Sequence, residues 1–398
     1  MEKILPFLNN LTINRKKLIS EWFASKYQDN QAFLYNSVDL RYSGEKLAPI
    51  DTNIFPAGFN NLSLTSQKKI QEELHKIIAN NIKNILIIAE YHTRNLNYLH
   101  NLNIIKSCLE ALDKNVKIAS ISTELESSLT LQDITGKNIT IEPLIRTKDI
   151  ISVSNNFIPE LIIVNNDFSI GSPEILQNIS QKITPPTGMG WYKRSKYNHF
   201  ESYNKISNEF AKEFNFDPFY IQTECALAQD INFKEKQSLD ILAKKAEIIL
   251  KKLTDKYKQH NIKQEPYLFL KANHGTYGMG IMTIKHHEEI LNINKKTRNK
   301  MSIIKDKVSN NNILIQEGIE TINHYQNNPA EPLIYLINGK SVGTIIRSNN
   351  VKDKFNNLNS SVGTSFLPAD NEEDFNNNKN AFNLIAELAA LAATSENH

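Results

Sequence analysis

The chain has 398 residues, of which 22% are charged and 40% are hydrophobic, and its formal net charge is +3. This near balance of charge does not support a large nucleic-acid-binding surface, which needs basic residues gathered on one face. The two cysteines, Cys108 and Cys225, exclude a disulfide scaffold and a zinc site of standard spacing. No apolar run has the length of a membrane span or of a signal-peptide core, so the sequence predicts a cytoplasmic protein without a membrane partner.

Helical and strand-like segments alternate in the N-terminal half. Apolar spacing predicts helices in the first thirty residues, at 66–82 and at 96–112. Short apolar runs predict buried strands at 84–89, 116–121 and 159–164. Paired short strands are expected around Gly136, and the Asp-, Asn-, Pro- and Gly-rich stretch 36–63 is expected to be a long loop. This alternation indicates a parallel sheet with helices on its faces.

The second half has a different order of elements. A helical stretch, 201–259, includes Cys225, and helices are also expected at 285–308 and 382–394. A strand is predicted at 313–316, and a hairpin with the two-residue turn Asn338-Gly339 at 333–347. This order predicts an α+β arrangement, and the proline-rich turn 184–188 suggests a boundary near residue 185. The predicted domains are therefore 1–185, a substrate-binding α/β domain, and 186–398, a nucleotide-binding domain.

The most informative segment is 267–284, in which an apolar run ending in Lys271 leads into a loop with glycines at 275, 278 and 280. A second apolar run follows, so the segment predicts a β-hairpin with a glycine-rich tip. Glycine lets a ligand approach backbone N–H groups closely, and the lysine adds a positive charge. Phosphate is the expected ligand, although an ordinary glycine turn is the alternative, because the segment matches neither standard phosphate-loop motif.

Polar clusters follow two of the buried strands and also occupy the early loop. The candidates are Glu90, His92 and Arg94 after the first strand, Asn166 after the last, and Arg41, Asp51, Asn53, Asn60 and Asn61 in the loop. Arginine and amide donors suit an α-carboxylate, and carboxylates suit an α-ammonium, so the clusters predict an amino-acid site. Simple turn chemistry is the alternative, most of all for Asn60 and Asn61.

A further cluster, 188–200, mixes basic and aromatic residues. Such mixing is also found in proteins that grip single-stranded nucleic acid. Since the chain has only this one patch and little net charge, Lys193 and Arg194 are instead expected to contact a phosphate or a carboxylate. A solvated surface is the alternative for both residues.

Several of these segments together resemble the proteobacterial glutamate–cysteine ligases of the glutathione-synthetase-like, ATP-grasp type. The resemblance is carried by 38–41, 46–63, 188–191, 271–273 and 275–282, and it spans nearly the whole chain. It implies an ATP-grasp-like α/β (α+β) fold, with an N-terminal parallel-sheet substrate domain and a two-lobed nucleotide domain. It also implies that ATP phosphorylates the γ-carboxylate of glutamate and that the amine of cysteine attacks the acyl phosphate.

The resemblance implies roles for individual residues. The ATP phosphates would contact Lys271 and the loop residues Gly275, Thr276, Tyr277, Gly278 and Gly280. The backbone groups of Gln316 and Glu317 would read the base, Glu317 or Glu320 would reach the ribose, and Arg347 would stabilise charge on the transferred group. Glutamate would lie near the early-loop residues, and Glu90, His92, Arg94 and Asn166 would complete its site or hold cysteine.

The expected magnesium site departs from the family pattern. Glu331 can supply one ligand, but the later element is Asn357-Leu358-Asn359, which lacks the usual glutamate. Neutral amide oxygens bind a hard cation less strongly than carboxylates, so Asn357 and Asn359 are weak candidates. Two rival hypotheses remain: another ATP-dependent carboxylate–amine ligase, or a nucleotide-binding module without catalysis. A homo-oligomer is compatible with the sequence.

Overall fold

The computed structural model describes residues 3–28, 31–90, 94–154, 156–275, 281–302, 311–360 and 362–396. Its helices are α1 (Ile4–Asn14), α2 (Lys16–Lys26), α3 (Leu64–Ile77), α4 (Leu96–Glu110), α5 (Lys196–Glu213), α6 (Lys236–Gln259), α7 (Glu288–Leu291), α8 (Lys295–Ser302), α9 (Glu373–Asn377) and α10 (Lys379–Thr394). Its strands are β1 (Tyr35–Tyr42), β2 (Leu47–Asn53), β3 (Asn84–Ala89), β4 (Asn115–Ser120), β5 (Leu129–Gln132), β6 (Asn138–Pro143), β7 (Ile145–Thr147), β8 (Ile150–Ser152), β9 (Leu161–Asn165), β10 (Lys182–Thr184), β11 (Cys225–Ala228), β12 (Leu268–Ala272), β13 (Met282–Ile284), β14 (Ile313–Glu317), β15 (His324–Tyr325), β16 (Asn328–Ile337), β17 (Lys340–Asn349) and β18 (Thr364–Pro368).

The apolar runs of the N-terminal half form a largely parallel sheet, as predicted. β3 pairs in parallel with β4 and with β9, and the strands predicted around Gly136 are the antiparallel pair β5 and β6. Buried side chains of α3 and α4 pack on one face of this sheet. Since the carboxyl ends of β3 and β9 lie at the same edge, the polar residues that follow them are brought together.

A large antiparallel sheet joins the two ends of the chain, in the order β18-β17-β16-β1-β2. The prediction of a loop at 36–63 is therefore wrong over much of this range, because β1 and β2 form a hairpin inside this sheet. β1 also pairs with β16, where Val38 lies opposite Ile334. The composition of 36–63 favours turns, but a partner strand near the other end of the chain supplies hydrogen bonds that local composition does not reveal.

The large sheet is buried on both faces. Ile334 and Leu336 of β16 contact a core that contains α1, α5 and the alanine-rich α10, which the sequence predicts as a packing helix. Leu333 and Tyr335, on the other face, contact α3, α4 and the parallel sheet. The β16–β17 turn is the predicted Asn338-Gly339 turn, and its φ angles of 51° and 72° are those of a type I′ hairpin.

A smaller antiparallel sheet has the order β11-β14-β12-β13 and packs against α6. It contains the predicted glycine hairpin as β12 and β13, whose tip at 276–280 lies outside the described residues. The continuous helical stretch expected at 201–259 is wrong, because β11 interrupts it and places Cys225 on a strand opposite Gln316. Pairing with β14 overrides the local helical preference of this alanine- and leucine-rich segment.

The helix expected at 285–308 is divided into α7 and α8, and residues 303–310 lie outside the described part of the chain. The domain boundary near residue 185 stays a prediction. The large sheet combines β1 and β2 with β16 to β18, which lie on opposite sides of that residue.

Candidate active site

A cavity of about 1170 Å³ lies where the three sheets meet. The carboxyl ends of β3 and β9, the strands β1, β2 and β17, and the root of the glycine hairpin all contribute to its wall. Residues that the sequence analysis selected from separate segments line it together: Arg41, Asp51, Asn53, Asn60, Asn61, Glu90, Lys271, Gly275, Arg347, Asn357 and Asn359. The structure therefore brings the predicted amino-acid cluster and the root of the predicted phosphate loop to one cavity.

One wall contains a buried network of four charged side chains. Arg41 Nε lies 2.7 Å from one oxygen of Glu331, and Arg347 Nη1 lies 2.9 Å from the other. The same Arg347 nitrogen is 3.0 Å from Asp39 Oδ2. Arg41 also donates to the backbone carbonyls of Ile319 and Asn356, so its guanidinium is fixed from several sides.

This network changes the pKa values of both carboxyl groups. Burial opposes ionisation of Glu331, but Arg41 and Arg347 overcome it and lower its pKa. Burial dominates at Asp39 and raises its pKa to about 6, although Arg347 acts in the opposite direction. Glu331 is therefore ionised at neutral pH, and Asp39 titrates closer to the physiological range.

Three cations hold three successive residues of β2. Lys271 Nζ donates to Ile50 O at 2.8 Å, Lys196 Nζ lies 2.9 Å from Asp51 Oδ1, and Arg194 Nη1 donates to Thr52 O. Burial opposes the charge of Asp51, but Lys196 and Lys271 hold its pKa well below the usual range. Burial lowers the pKa of Lys271 to about 8, with Asp51 acting in the opposite direction. Lys271 thus keeps its charge at neutral pH.

The part of the cavity wall at the ends of β3 and β9 carries carboxylates and amides. Glu90 is buried and its Oε1 accepts from the backbone N–H of Asp167 at 2.6 Å. The Tyr98 hydroxyl accepts from Glu90 N at 2.8 Å and donates to Asn165 O at 2.7 Å, which fixes the ends of β3 and β9. These residues also line the cavity. The described part of this wall presents carboxylates and amides, whereas the cations Lys196, Lys271 and Arg347 lie on other elements, beside Asp39 and Asp51.

Residues 9–397 match the model of the glutamate–cysteine ligase family. The chain belongs to this family. The resemblance drawn from the sequence motifs is thereby confirmed, and so is the prediction that the protein is a ligase of this type.

A crystal structure from Methylobacillus flagellatus KT, of a protein provisionally named gamma-glutamylcysteine synthetase, is similar throughout. It shares 34% sequence identity and a TM-score of 0.89, over 99% of this chain and 96% of that chain. D-alanyl-alanine synthetase A from Vibrio cholerae has 11% identity and a TM-score of 0.35, over 76% and 79% of the two chains. A glutathione-synthetase-like effector from Globodera pallida has 10% identity and a TM-score of 0.41, over 92% and 84%. The last two similarities are too low to carry an argument, and no curated protein matches the chain.

The side chains of the nucleotide-binding candidates on β14 and just after it are buried or bound by other protein groups. Glu317 accepts from Lys46 at 2.6 Å and from the Tyr257 hydroxyl at 2.8 Å, and its other oxygen accepts from Glu224 N. Glu320 is held by Lys354 and Gln264, and Gln316 is fully buried. None of Gln316, Glu317 and Glu320 is among the described residues that line the cavity.

Other predicted residues of the ligase also lie off the cavity wall. Asn166 is buried in a turn, where it donates to Ala89 O and accepts from Phe168 N, and Lys193 and Arg94 are exposed. Arg194 is buried and its donors are taken up by Glu396 and Thr52 O. His92, Thr276, Tyr277, Gly278 and Gly280 lie outside the described residues.

The sequence analysis did not select several residues that line the cavity of the ligase, although most of them lie within or beside its polar clusters: Asp39, Tyr98, Asn101, Asn165, Asp167, Trp191 and Lys196. Lys196 lies in the same basic segment as Lys193, but no local signal separates the two. Only the start of α5 decides which lysine turns toward β2. Asp167 directly follows a predicted buried strand, so its position at the sheet edge was a usable signal.

The predicted magnesium ligands do not form a metal site among themselves. Both oxygens of Glu331 are bound by arginines, and Asn357 accepts from the backbone of Asn359. Within the described ranges, no group of three or more His, Cys, Asp or Glu side chains could hold an ion. None of the helices in those ranges is long and apolar enough to cross a membrane.

Proposed function

We propose that this ligase joins the γ-carboxylate of L-glutamate to the amine of L-cysteine through γ-glutamyl phosphate, at the cavity described above. The observation that carries the proposal is the family match over 9–397, together with a cavity lined by cations on β12, β17 and α5 and by carboxylates and amides at the ends of β3 and β9. A reaction between a triphosphate and two amino acids needs both kinds of wall.

The phosphates of ATP are assigned to the hairpin side of the cavity. Lys271 and Lys196 lie there, and the pKa of Lys271, about 8, leaves its ammonium charged at neutral pH. A positive charge that is already in place stabilises the developing charge of phosphoryl transfer without reorganisation. The nucleotide would lie against β12 and the root of the glycine hairpin in an ATP-grasp-like arrangement.

The amino acids are assigned to the side formed by the ends of β3 and β9. Glu90 and Asp167 suit an ammonium group, and the amides of Asn53, Asn60 and Asn61 suit a carboxylate or an ammonium. Arg347 also lines the cavity and is fixed by Asp39 and Glu331. It is therefore placed to neutralise the γ-carboxylate or the transferred phosphoryl group.

The reaction proposed at this cavity has two steps. A γ-carboxylate oxygen of glutamate attacks the γ-phosphorus of ATP, and ADP leaves. The ammonium group of cysteine gives a proton to solvent, and the resulting amine attacks the acyl carbon. Inorganic phosphate leaves, and the nitrogen gives a second proton to solvent as the amide forms. The protein's main task is to position the reactants and to neutralise charge, because phosphoryl transfer needs little covalent help from side chains.

Magnesium is proposed as an ion carried by the nucleotide. When bound, it would neutralise the phosphate oxygens, which together with water supply most of its ligands in such sites. The trio Glu331, Asn357 and Asn359 does not fit it, for the reasons given above, so no step is assigned to a protein-bound metal. The cytoplasmic location and a homo-oligomeric state stay predictions.

A product assay tests the proposal. Purified protein with glutamate, cysteine, ATP and magnesium should release ADP and phosphate and form γ-glutamylcysteine. Glycine, alanine and serine in place of cysteine, and aspartate in place of glutamate, test the rival carboxylate–amine ligases. If another pair of substrates is joined faster, the substrate assignment is wrong, and if no ADP appears with any pair, the protein is not a ligase under these conditions.

A further inference from the structure

Arg194 is a buried cation whose hydrogen bonds are made within the protein. Its Nε lies 3.0 Å and 3.2 Å from the two oxygens of Glu396, and its Nη2 lies 2.7 Å from Glu396 Oε1. Its Nη1 donates to Thr52 O on β2. Both side chains of the pair are only 1% exposed, so the pair is screened from solvent.

Glu396 is prepared to hold this arginine. It follows α10, and its Oε1 also lies 2.8 Å from Nδ1 of His199 on α5. Burial opposes its ionisation, but Arg194 and His199 lower its pKa to about 2. Burial lowers the pKa of His199, so the imidazole is neutral at physiological pH and acts as a donor to the carboxylate. The cluster thus contains one positive and one negative charge.

Arg194 connects the elements that carry the cavity cations. Its backbone carbonyl lies 3.0 Å from Nδ1 of His274, at the root of the glycine hairpin. Its guanidinium lies 4.8 Å from the ring centroid of Trp191, and Lys196 Nζ lies 4.0 Å from the same centroid. Thr52, which Arg194 holds, directly follows Asp51, the partner of Lys196.

We propose that Glu396 is a positioning residue of this ligase, which acts through Arg194 to hold β2 and so fixes Asp51, Lys196 and Lys271 on the cavity wall. The inference rests on the proposed function. Glu396 and Arg194 are both absent from the described lining of the cavity, so neither is assigned a contact with substrate. If the charge of Glu396 is removed, the buried guanidinium of Arg194 lacks a counter-charge. We expect the guanidinium then to move toward solvent and to lose its hydrogen bond to Thr52 O.

The experiment compares Glu396→Gln with Glu387→Gln. Glu387 serves as the control, because it is a half-buried carboxylate of α10 that accepts from Ser341 N near the Asn338-Gly339 turn, away from the cavity. Both variants are assayed for kcat and for the KM of each substrate at a temperature where circular dichroism shows them folded. We expect Glu396→Gln to raise the KM for ATP and to lower kcat/KM at least tenfold, and Glu387→Gln to change both less than threefold.

Two further variants keep the test decisive if Glu396→Gln does not fold. Glu396→Asp keeps the charge and should recover much of the lost kcat/KM. The double variant Arg194→Met, Glu396→Met removes the buried pair as a unit, which proteins often tolerate. It should fold and still show the high KM for ATP, because Thr52 O has lost its donor.

The proposal is overturned if the double variant, or folded Glu396→Gln, keeps wild-type kinetics, or if Glu387→Gln loses as much activity at equal stability. Failure of the proposed function gives a different result. In that case the wild type forms no γ-glutamylcysteine, and the same variants are compared by the heat of ATP binding. ATP binding should still weaken in Glu396→Gln and in the double variant, but not in Glu387→Gln.

Discussion

Lys271 is expected to support activity at a cost to stability, and Lys271→Met separates the two effects. Burial lowers the pKa of this lysine from 10.5 to about 8. A change of that size corresponds to about 3 kcal/mol against the charged form in the folded protein at neutral pH. Methionine has similar length and no charge, so the variant removes this cost. It also leaves Ile50 O, which Lys271 bonds at 2.8 Å, without its donor, a loss of about 1–3 kcal/mol.

The net expectation at pH 7 is a free energy of unfolding that is unchanged or about 2 kcal/mol higher in Lys271→Met. The sign can also be tested by pH. Because the folded pKa is lowered, the unfolded chain binds more protons between about pH 8 and pH 10.5. Wild-type stability should therefore gain about 3 kcal/mol relative to the variant as pH rises through this window. Near pH 10.5 the wild type should be the more stable protein by about the 1–3 kcal/mol of its hydrogen bond to Ile50 O, which a neutral lysine still donates.

Activity should move in the opposite direction. We expect Lys271→Met to lower kcat/KM for ATP on the order of 10²-fold, since it removes a fixed charge at the phosphates. Wild-type kcat/KM should fall as pH rises above about 8, where Lys271 loses its proton. Urea denaturation and an ADP-release assay measure the two quantities, with Lys205→Met, an exposed lysine of α5, as the control. A variant that is destabilised by more than about 2 kcal/mol, or that keeps its activity, would refute this reasoning.

Three other variants test the remaining parts of the site. Arg41→Met should lower the free energy of unfolding, measured by urea denaturation, by about 3 kcal/mol or more, because it removes one counter-charge of the fully buried Glu331. The double variant Arg41→Met, Glu331→Met should recover part of that loss. Equal losses in the single and double variants would contradict the pairing. Glu90→Gln keeps an acceptor for the backbone N–H of Asp167 but removes the negative charge. The KM for one of the two amino-acid substrates should therefore rise about tenfold, while the KM for ATP stays within about twofold of the wild-type value. Parallel rises in both would show that the cavity is not divided as proposed. Gly58→Ala should lower the free energy of unfolding by about 1–3 kcal/mol, because Gly58 has φ +96° and a Cβ there would lie 2.5 Å from a tyrosine hydroxyl; an unchanged melting curve would contradict that.

Much of the fold follows from local patterns. The runs at 84–89, 116–121 and 159–164 became adjacent parallel strands, because continuous apolar runs bounded by polar turns are typical of a sheet covered on both faces. The Asn338-Gly339 turn was equally readable, since both positions need a positive φ. The hairpin formed by β1 and β2 within 36–63 could not be predicted in this way, because β1 depends on pairing with β16, and pairing between distant segments has no local signature.

The sequence by itself determined the family, the glycine hairpin with Lys271 at its base, and the polar residues at the strand ends. Only the tertiary structure decided which charges face the cavity. Lys193, Arg194 and Lys196 are neighbouring basic residues that the sequence does not distinguish. In the structure Lys193 is exposed, Arg194 pairs with the buried Glu396, and Lys196 pairs with Asp51 on the cavity wall. The physical reason is that the direction of a charged side chain is set by its buried partners, and these partners come from parts of the chain that only folding brings together.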